Sequence, residues 1–270
     1  MKPLVLSLRS EPDQRLDLSP LVPHRLAGKT VSYVEQIALQ TTRRPVVVGD
    51  IFRVRMGDTQ HVRVEGGCDR LDRAGHGMTD GEVVVEGNVG SEAGRSMSGG
   101  RLTVAGSAGP WAASGMKGGY LEIAGAVGDR LGGPLPGEIA GMRGGVVVVR
   151  RDAGDRAGDR MRRGTIIVGG KTGNYAGSRM IAGTLILCGA TGTLPGYLMR
   201  RGTVVLGERC DDLSPTFMDC GIHELVATRL LAGFIRPYSK PAAAVLRGPL
   251  RRLAGDTAVL GKGEIFCPTE

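Results

Sequence analysis

The chain is poor in aromatic residues, since its 270 positions include only 4 Phe, 5 Tyr and 1 Trp. Large rings therefore cannot fill the core, and small aliphatic side chains must do so. Glycine, in contrast, accounts for 45 residues. Because Val, Ile and Leu are plentiful and the glycines recur in register, this composition indicates an ordered fold with many turns and argues against disorder.

Cysteine and long apolar runs are scarce as well. The five cysteines are odd in number and include no C-x-x-C pair, which supports neither a disulfide framework nor a zinc or iron–sulfur site and fits a reducing cytosol. No apolar run approaches the ~20 residues of a membrane-spanning helix. The apolar stretch at the N-terminus is too short for a signal peptide. We therefore expect a cytoplasmic protein that does not associate with a membrane.

Motifs for catalysis and nucleotide binding are missing or incomplete. Ala27–Thr30 and Gly169–Thr172 resemble a phosphate loop, but Pro23 and Thr165 stand where the Walker pattern demands its first glycine. The four histidines lack the spacings of a zinc site. No G-x-S-x-G motif occurs, and the carboxylates form no evident catalytic pair. We therefore assign no catalytic and no metal-ligating residue.

A period of 19 residues runs through the middle of the chain. Glycines follow it at intervals of 19, 19, 26, 19, 19 and 19 residues, at Gly81, Gly100, Gly119, Gly145, Gly164, Gly183 and Gly202. Seven of the ten methionines keep the same intervals, at Met78, Met97, Met116, Met142, Met161, Met180 and Met199. The interval of 26 is one unit with seven extra residues around Gly132–Pro136, which we expect to form a protruding loop.

Each unit contains a β-favouring triplet such as Val83–Val85 or Ile166–Val168, and an earlier copy begins at Val62. The glycine after most triplets, such as Gly106, predicts the positive φ of a sharp corner. A unit with such short strands cannot bury its apolar face alone, whereas stacked units bury Val on Val and Met on Met. We therefore predict an all-β fold, a parallel β-helix of about seven or eight coils with the methionines inside.

Both ends of such a stack expose strand edges that must be covered. We predict an N-terminal cap segment over residues 1–58, the β-helix over 59–207, and a C-terminal tail of helix and strand over 208–270. The cap is expected to contain a strand at Leu4–Leu8, a helix near Val31–Leu39 and a strand at Val46–Val54. The predicted helix of the tail ends near Pro237 and has one apolar face, made of Ile222, Leu225, Val226, Leu230 and Leu231.

The net charge of +8 favours acidic ligands, acidic partner proteins or nucleic acid. In four of seven units the residue after the repeat methionine is basic, and two further arginines lie beside these positions. We call these six residues the cationic column: Lys117, Arg143, Arg162, Arg163, Arg200 and Arg201. Stacking would align them and make them repel one another. They are either solvated cations that protect an edge or a strip that binds a polyanion or a partner.

The repeated units, clearest at Gly115–Gly119 and Gly141–Gly145, resemble those of the C subunit of formylmethanofuran dehydrogenase. They are also similar to the C-terminal domain of the glutamate synthase large subunit. The tail segments Phe217–Asp219, Arg251–Asp256 and Gly261–Ile265 look most like the bacterial version, the C subunit of the formyltransferase/hydrolase complex of methylotrophs. The resemblance covers nearly the whole chain, and it implies a right-handed, single-stranded parallel β-helix within an assembly of several subunits.

The resemblance also implies a function. In the bacterial complex a formyl group moves between tetrahydromethanopterin and a methanofuran-type carrier, methylofuran, and is released as formate. The chemistry is attributed to the amidohydrolase-like A subunit with metals and to the formyltransferase D subunit, and a B subunit accompanies them. The C subunit is then a non-catalytic scaffold that binds no cofactor directly. Because the carrier bears glutamates, the cationic column becomes a candidate site for a polyglutamate chain or an acidic surface of a partner.

Other interpretations stay open. The chain resembles the C subunit of the redox formylmethanofuran dehydrogenase, in which a molybdenum or tungsten pterin and iron–sulfur clusters lie on other subunits. A stand-alone β-helix enzyme acting on an acidic polymer also fits a basic face, although such enzymes usually carry secretion signals and calcium-binding carboxylates. A free-standing regulatory module, like the glutamate synthase domain, predicts no stable partner. We do not expect nucleic acid to be the ligand.

Overall fold

A computed structural model describes residues 2–41, 43–209 and 212–269. Within them, thirteen strands form one mixed sheet and four more form two small pairs. The strands are β1 (Pro3–Leu8), β2 (Leu16–Asp17), β3 (Ala38–Leu39), β4 (Val46–Val47), β5 (Phe52–Arg55), β6 (Asp58–Gly67), β7 (Leu71–Asp72), β8 (Glu82–Gly87), β9 (Arg101–Val104), β10 (Tyr120–Ile123), β11 (Arg143–Val149), β12 (Arg163–Val168), β13 (Thr184–Leu187), β14 (Arg201–Leu206), β15 (Met218–His223), β16 (Leu250–Gly255) and β17 (Lys262–Cys267). The helices are α1 (Pro23–Leu26), α2 (Val31–Glu35), α3 (Val48–Ile51), α4 (Val226–Ile235) and α5 (Lys240–Val245).

The repeats lie directly above one another. Strands β6 and β8 to β14 pair in parallel in chain order. Leu102 pairs with Leu121, and Ile166 pairs with Leu185, so equal positions of the repeat face each other. A second parallel series of single bridges runs along another side of the stack, from Val89 through Ala108, Val127, Ala153 and Thr172 to Thr191. The prediction that equal phases stack is confirmed at these positions.

The methionines of the repeat pack against the glycines of the repeat that follows. All seven repeat methionines are fully buried, as predicted. A β-carbon added at Gly119 would lie 2.7 Å from Cε of Met97, and one added at Gly202 would lie 2.7 Å from Cε of Met180. From Met97 to Met180, the methyl group of each repeat methionine therefore fills the space beneath the glycine of the next repeat, so a larger residue at that glycine would displace it. Met78 is the exception, because a β-carbon at Gly100 would meet the backbone of Asp80 and Gly81 instead.

The corner glycines have a different role from the one the sequence predicts. Of the five glycines that follow a triplet, only Gly87 has a positive φ, of 131°. Gly106 does not, but a β-carbon there would lie 2.5 Å from the carbonyl carbon of Gly87 in the preceding repeat. The prediction of positive φ is therefore wrong for most of these glycines. They are required because successive backbones approach too closely to admit a side chain.

The seven-residue insertion protrudes less than expected. Gly132, Gly133 and Pro134 are buried, and exposure begins only at Pro136. Further along the loop, Oε1 of Glu138 forms an ion pair with Nη2 of Arg95 at 2.9 Å. The loop therefore folds back onto the earlier repeats, and only residues 136–139 reach into solvent.

The N-terminal segment covers the first repeat. Strand β1 pairs in parallel with β6, and β5 pairs antiparallel with β1 at the edge of the sheet. The predicted strand at Val46–Val54 is wrong, because α3 interrupts it: Oδ2 of Asp50 accepts the N–H of Val47 at 3.0 Å and caps a helical turn. The predicted helix near Val31–Leu39 is shorter than expected, since α2 ends at Glu35 and β3 follows.

The C-terminal segment covers the last repeat. Strand β17 pairs in parallel with β14 and continues the repeat register, with Gly263 opposite Gly202 and Ile265 opposite Val204. Strands β16 and β15 then add antiparallel pairs and end the sheet. The tail thus supplies one further parallel strand whose residues lie opposite the equivalent positions of the last repeat, although this strand does not follow β14 at the 19-residue interval.

The predicted apolar face of the C-terminal helix is wrong. Ile222 belongs to β15, and Val226 and Leu230 of α4 are 60% and 71% exposed. Helix α4 instead buries Ala232 and Ile235, which pack with α5 on the outward-facing side chains of the main sheet, Val148, Ile167, Ile186 and Val205. This cover explains why the later triplets are apolar at every position, since both faces of their strands are buried.

Tyr120 joins the main sheet to this helical cover. Its ring stacks on Tyr238 with centroids 5.7 Å apart, and its hydroxyl donates to Oε2 of Glu122 at 2.9 Å. Nη1 of Arg150, which is paired with Glu122, donates to the carbonyl oxygen of Tyr238 at 2.9 Å. Burial and the hydrogen bond to Glu122 raise the pKa of Tyr120 to about 12.

We expect Gly119→Ala to lower the free energy of unfolding by about 2–4 kcal/mol, from strain at positive φ and from overlap with Met97 and with the backbone of Gly99 and Gly100. Gly137→Ala is the matched control, because φ is +87° there and +83° at Gly119 but no atom lies within 4 Å of the added β-carbon. That variant should lose only about 1 kcal/mol. Urea unfolding followed by circular dichroism measures both values. Equal losses would contradict the Met–Gly contact.

We expect the stability contributed by neutral Tyr120 to be present in full below the pKa of an unfolded tyrosine, about 10. It should be lost as the pH rises from there towards 12, because only the unfolded chain then releases the proton readily. Tyr120→Phe has no such proton to lose. Urea unfolding of both proteins at pH 9 and 11 should show wild type losing stability relative to the variant, and a pH-independent difference would contradict this.

Candidate functional site

The residues that follow the repeat methionines stack as the sequence predicts. In each case the backbone N–H donates to the carbonyl oxygen of the methionine in the preceding repeat. The N···O distances are 2.7 Å from Lys117 to Met97, 2.8 Å from Arg162 to Met142 and 2.8 Å from Arg200 to Met180. These hydrogen bonds place the main-chain positions of the cationic column one above another.

The column departs from a regular stack in two places. Arg143 lies opposite Arg163, one residue later than the period predicts, because the register shifts between Arg143 and Val146. Ile181 occupies the equivalent position between Arg162 and Arg200 and interrupts the series of cations. Ile181 therefore divides the column into two groups. Lys117, Arg143, Arg162 and Arg163 come before it in the chain, and Arg200 and Arg201, the upper end of the column, come after it.

All six side chains of the cationic column are exposed. Within the described residues, none of them forms an ion pair with a carboxylate, whereas other arginines do, such as Arg150 with Glu122. Like charges stacked at the spacing of neighbouring strands repel one another unless an anion lies against them. The column is therefore open to an external anion.

A cavity of about 470 Å³ lies beside the upper end of the column. We call it the arginine pocket, and its walls combine three arginines with four aliphatic side chains: Arg160, Arg179, Arg200, Ile139, Ile181, Leu198 and Val259. Gly137 and Glu138 of the insertion complete the lining. Only Arg200 belongs to the predicted column. The pocket therefore connects the column to the insertion and to the C-terminal tail.

Arg179 is held in place by a buried carboxylate. Asp159 is 1% exposed and accepts hydrogen bonds from Nε and Nη2 of Arg179 at 3.0 and 2.8 Å. It also accepts one from Oγ of Ser178 at 2.9 Å. This bidentate pairing fixes the plane of the guanidinium group and leaves its remaining N–H groups free to face the pocket.

Arg160 and Arg179 were not found by the sequence reasoning, which considered the position after each methionine. Both stand immediately before a methionine and adopt left-handed backbone conformations, with φ of 50° and 52°. Two earlier repeats place glycine with positive φ there, at Gly77 and Gly115. An arginine at a position that favours glycine is a signal that could have drawn attention to these residues.

Arg73 and Arg95 of the early repeats are neutralised by carboxylates, in contrast to the members of the cationic column. Nη1 of Arg73 pairs with Asp17 at 2.9 Å, and its Nε pairs with Glu92 at 3.1 Å. Arg95 pairs with Glu92 at 3.2 Å. Burial and the nearby Arg73 and Arg95 lower the pKa of His76, which therefore adds no charge at neutral pH. Unpaired positive charge on this side is thus concentrated in the later repeats.

The described residues contain no group of three or more His, Cys, Asp or Glu side chains that could hold a metal ion. In the same residues, α4 is the longest helix with ten residues, and no helix is long and apolar enough to cross a membrane. The chemistry that the cationic column and the arginine pocket offer is the binding of anionic and apolar groups.

Comparison with known proteins relates the whole chain to one protein in particular. It is 48% identical over 263 residues to the C subunit of the formyltransferase/hydrolase complex Fhc of Methylorubrum extorquens, covering 97% of this chain and 98% of that one. The fold matches a chain in the crystal structure of the FhcABCD complex of the same organism, solved with methylofuran. The TM-score is 0.95 with 43% identity, and the match covers 98% of this chain and all of that one.

More distant similarity extends to archaeal proteins. The C subunit of tungsten-containing formylmethanofuran dehydrogenase 2 from Methanothermobacter thermautotrophicus is 32% identical over 94 residues, which is 33% of this chain and 35% of that one. Its counterpart from Methanococcus maripaludis is 28% identical over 92 residues, 33% of this chain and 34% of that one. No family model matches the chain.

We expect Asp159→Asn to lower the free energy of unfolding by about 2–4 kcal/mol, because it removes the buried partner of a guanidinium group. Asp219→Asn is the control, since Asp219 pairs with Arg251 at the surface and its loss should change stability little. Urea unfolding at neutral pH measures both variants. A small and equal effect would show that the pairing of Asp159 with Arg179 does not hold the pocket.

Proposed function

This chain belongs to the family of C subunits of formyltransferase/hydrolase complexes, and from that premise we propose that it is the non-catalytic scaffold of such a complex. The complex transfers a formyl group from tetrahydromethanopterin to a methanofuran-type carrier and releases formate. Its other members are the amidohydrolase-like A subunit, the B subunit and the formyltransferase D subunit. The observation that carries this proposal is similarity over nearly the whole chain to one member of an assembled complex.

We infer that the repeats form a right-handed, single-stranded parallel β-helix over residues 59–207, between a cap segment (1–58) and a tail (208–270). The parallel pairing at repeat intervals, the second series of bridges and the buried methionines support this architecture. Antiparallel strands are added at both ends of the stack, β5 at one end and β15 with β16 at the other. A rigid prism of this kind presents several flat sides, which suits a protein that holds its partners in position.

In this proposal the reactions take place on other subunits in the cytoplasm. The metals belong to the A subunit, while this chain binds no cofactor directly. The groups that it exposes at the cationic column and the arginine pocket are guanidinium and ammonium groups together with aliphatic side chains. Such groups bind and position anionic molecules. The role that follows is to organise the assembly and to guide its anionic carrier.

We propose that the cationic column holds or steers the polyglutamate chain of the carrier or an acidic surface of a partner. The residues concerned are Lys117, Arg143, Arg162, Arg163, Arg200 and Arg201. Their exposure and their lack of carboxylate partners in the described residues support the proposal, since a chain of carboxylates would relieve their mutual repulsion. Attraction of this kind acts through exposed charges and weakens with salt.

A redox formylmethanofuran dehydrogenase is less well supported. The tungsten-containing relatives match only a third of the chain, whereas the formyltransferase/hydrolase relative matches it throughout. The archaeal similarity leaves two thirds of the chain unmatched. A stand-alone enzyme acting on an acidic polymer is also disfavoured, because a relative that matches the whole chain is part of a complex.

The test is affinity purification of the tagged chain from its native cells. Wild type should bring down the A, B and D subunits with the carrier, and purification as a lone chain would contradict the scaffold role. Reversing four column charges, with Lys117→Glu, Arg143→Glu, Arg162→Glu and Arg200→Glu, should reduce bound carrier or partner subunits at least ~10-fold, with the loss greater at low salt.

The matched control reverses four exposed cations elsewhere, Arg9, Arg43, Arg53 and Arg247. It changes the net charge of the chain by the same amount but leaves the column intact. If the control and the column variant lose partners and carrier equally, overall charge is responsible and the column has no specific role. If both retain them fully, the proposed function of the column is wrong.

A further inference from the structure

The arginine pocket is assembled from the parts of the chain that break the 19-residue repeat. Ile139 comes from the insertion, and Val259 comes from the turn between β16 and β17. Both parts are anchored. Glu138 pairs with Arg95, and the buried carboxylate of Asp256 accepts the N–H of Leu198 at 2.9 Å. The pocket therefore has walls that are held in place on two sides.

The pocket carries excess positive charge, because the carboxylate of Glu138, which also lines it, is already paired with Arg95. Of its three arginines, Arg179 has a carboxylate partner in Asp159, while Arg160 donates from Nη1 only to the carbonyl oxygen of Glu138, at 3.3 Å. Arg200 forms no ion pair within the described residues. A carboxylate entering the pocket would meet several guanidinium groups whose N–H donors match it in bidentate fashion.

The pocket also exposes more apolar surface than a site for carboxylates alone requires. Ile139 of the insertion is 84% exposed, and Val259 of the turn between β16 and β17 is 42% exposed. Exposed aliphatic side chains of this size are stabilised when another apolar group covers them. A polyglutamate chain offers carboxylates but no such group, whereas a protein segment that carries both acidic and aliphatic side chains offers both.

We propose that the arginine pocket is the docking site for an acidic, aliphatic segment of a neighbouring subunit in the same complex. One carboxylate binds among Arg160, Arg179 and Arg200, and an adjacent aliphatic side chain packs on Ile139 and Val259. Arginine surrounded by apolar groups is a frequent centre of binding energy at protein interfaces. This inference rests on the proposed function, since it requires the chain to be part of a complex of several proteins.

The first test is the affinity of the full-length chain for the remainder of the complex, the A, B and D subunits. Ile139→Asp and Arg160→Gln avoid the cationic column, and each should weaken assembly at least ~10-fold. The loss from Arg160→Gln should shrink at high salt, and the loss from Ile139→Asp should persist. Met56→Asp and Arg53→Gln are the matched controls, both at exposed positions of the cap segment, and should assemble like wild type.

Three outcomes would overturn the docking site. In the first, both pocket variants keep the circular dichroism spectrum of wild type and assemble with wild-type affinity. In the second, they assemble normally but lose the carrier, which would make the pocket a carrier site. In the third, they lose affinity no more than the controls. If wild type itself fails to bind the A, B and D subunits, the proposed function fails instead, so the two failures are distinguishable.

Photo-crosslinking gives a second, independent measurement that does not depend on affinity. A benzoylphenylalanine placed at Ile139 should form a crosslink in the intact complex to a segment of another subunit that contains Asp or Glu next to an aliphatic residue. The same probe at Met56 should not reach that segment. Crosslinks from position 139 only to other copies of this chain, or to none, would contradict the proposal.

Discussion

The fit of a methionine beneath the glycine of the next repeat, which recurs from Met97 to Met180, is the contact on which the rest of the structure depends. The methyl group of Met97 occupies the space that a side chain at residue 119 would need, and the same relation recurs between Met180 and Gly202. Neither residue can change alone without overlap or a void. The contact therefore sets how one repeat lies on the next, and every other position of the repeat stacks in consequence, including the cations that follow the methionines.

The pocket lies where the 19-residue repeat is broken. A regular stack repeats the same side chains at equivalent positions. Such repetition can produce a row of like charges, but it does not produce a concave site. The insertion and the C-terminal turn add Ile139 and Val259 to the upper repeats and enclose a pocket there. Long-range contacts hold these additions, from Glu138 to Arg95 and from Leu198 to Asp256. The regular part thus provides rigidity and the irregular parts provide shape.

Charge is distributed unevenly along the stack. In the early repeats Arg73 and Arg95 are neutralised by Asp17 and Glu92, whereas Arg200 and the other members of the cationic column have no carboxylate partner within the described residues. Ion pairs within the chain hold the cap and the insertion against the stack, while unpaired cations on a rigid surface favour anions from outside. Arginine therefore has a structural role where a carboxylate of the chain pairs with it and is available for binding in the cationic column.

The sequence alone determined what depends on the period: parallel pairing at equal phases, buried methionines and the stacking of the cations, because a repeated contact leaves a repeated signal. Tertiary structure decided the rest. Asp50 caps a turn inside a predicted strand, and α4 turns Val226 and Leu230 outward because the main sheet binds Ala232 and Ile235. Of the pocket, the sequence predicted only Arg200. The other pocket residues are brought together by contacts between residues far apart in the chain. Because each of these contacts occurs only once, the sequence shows no periodic pattern that would predict them.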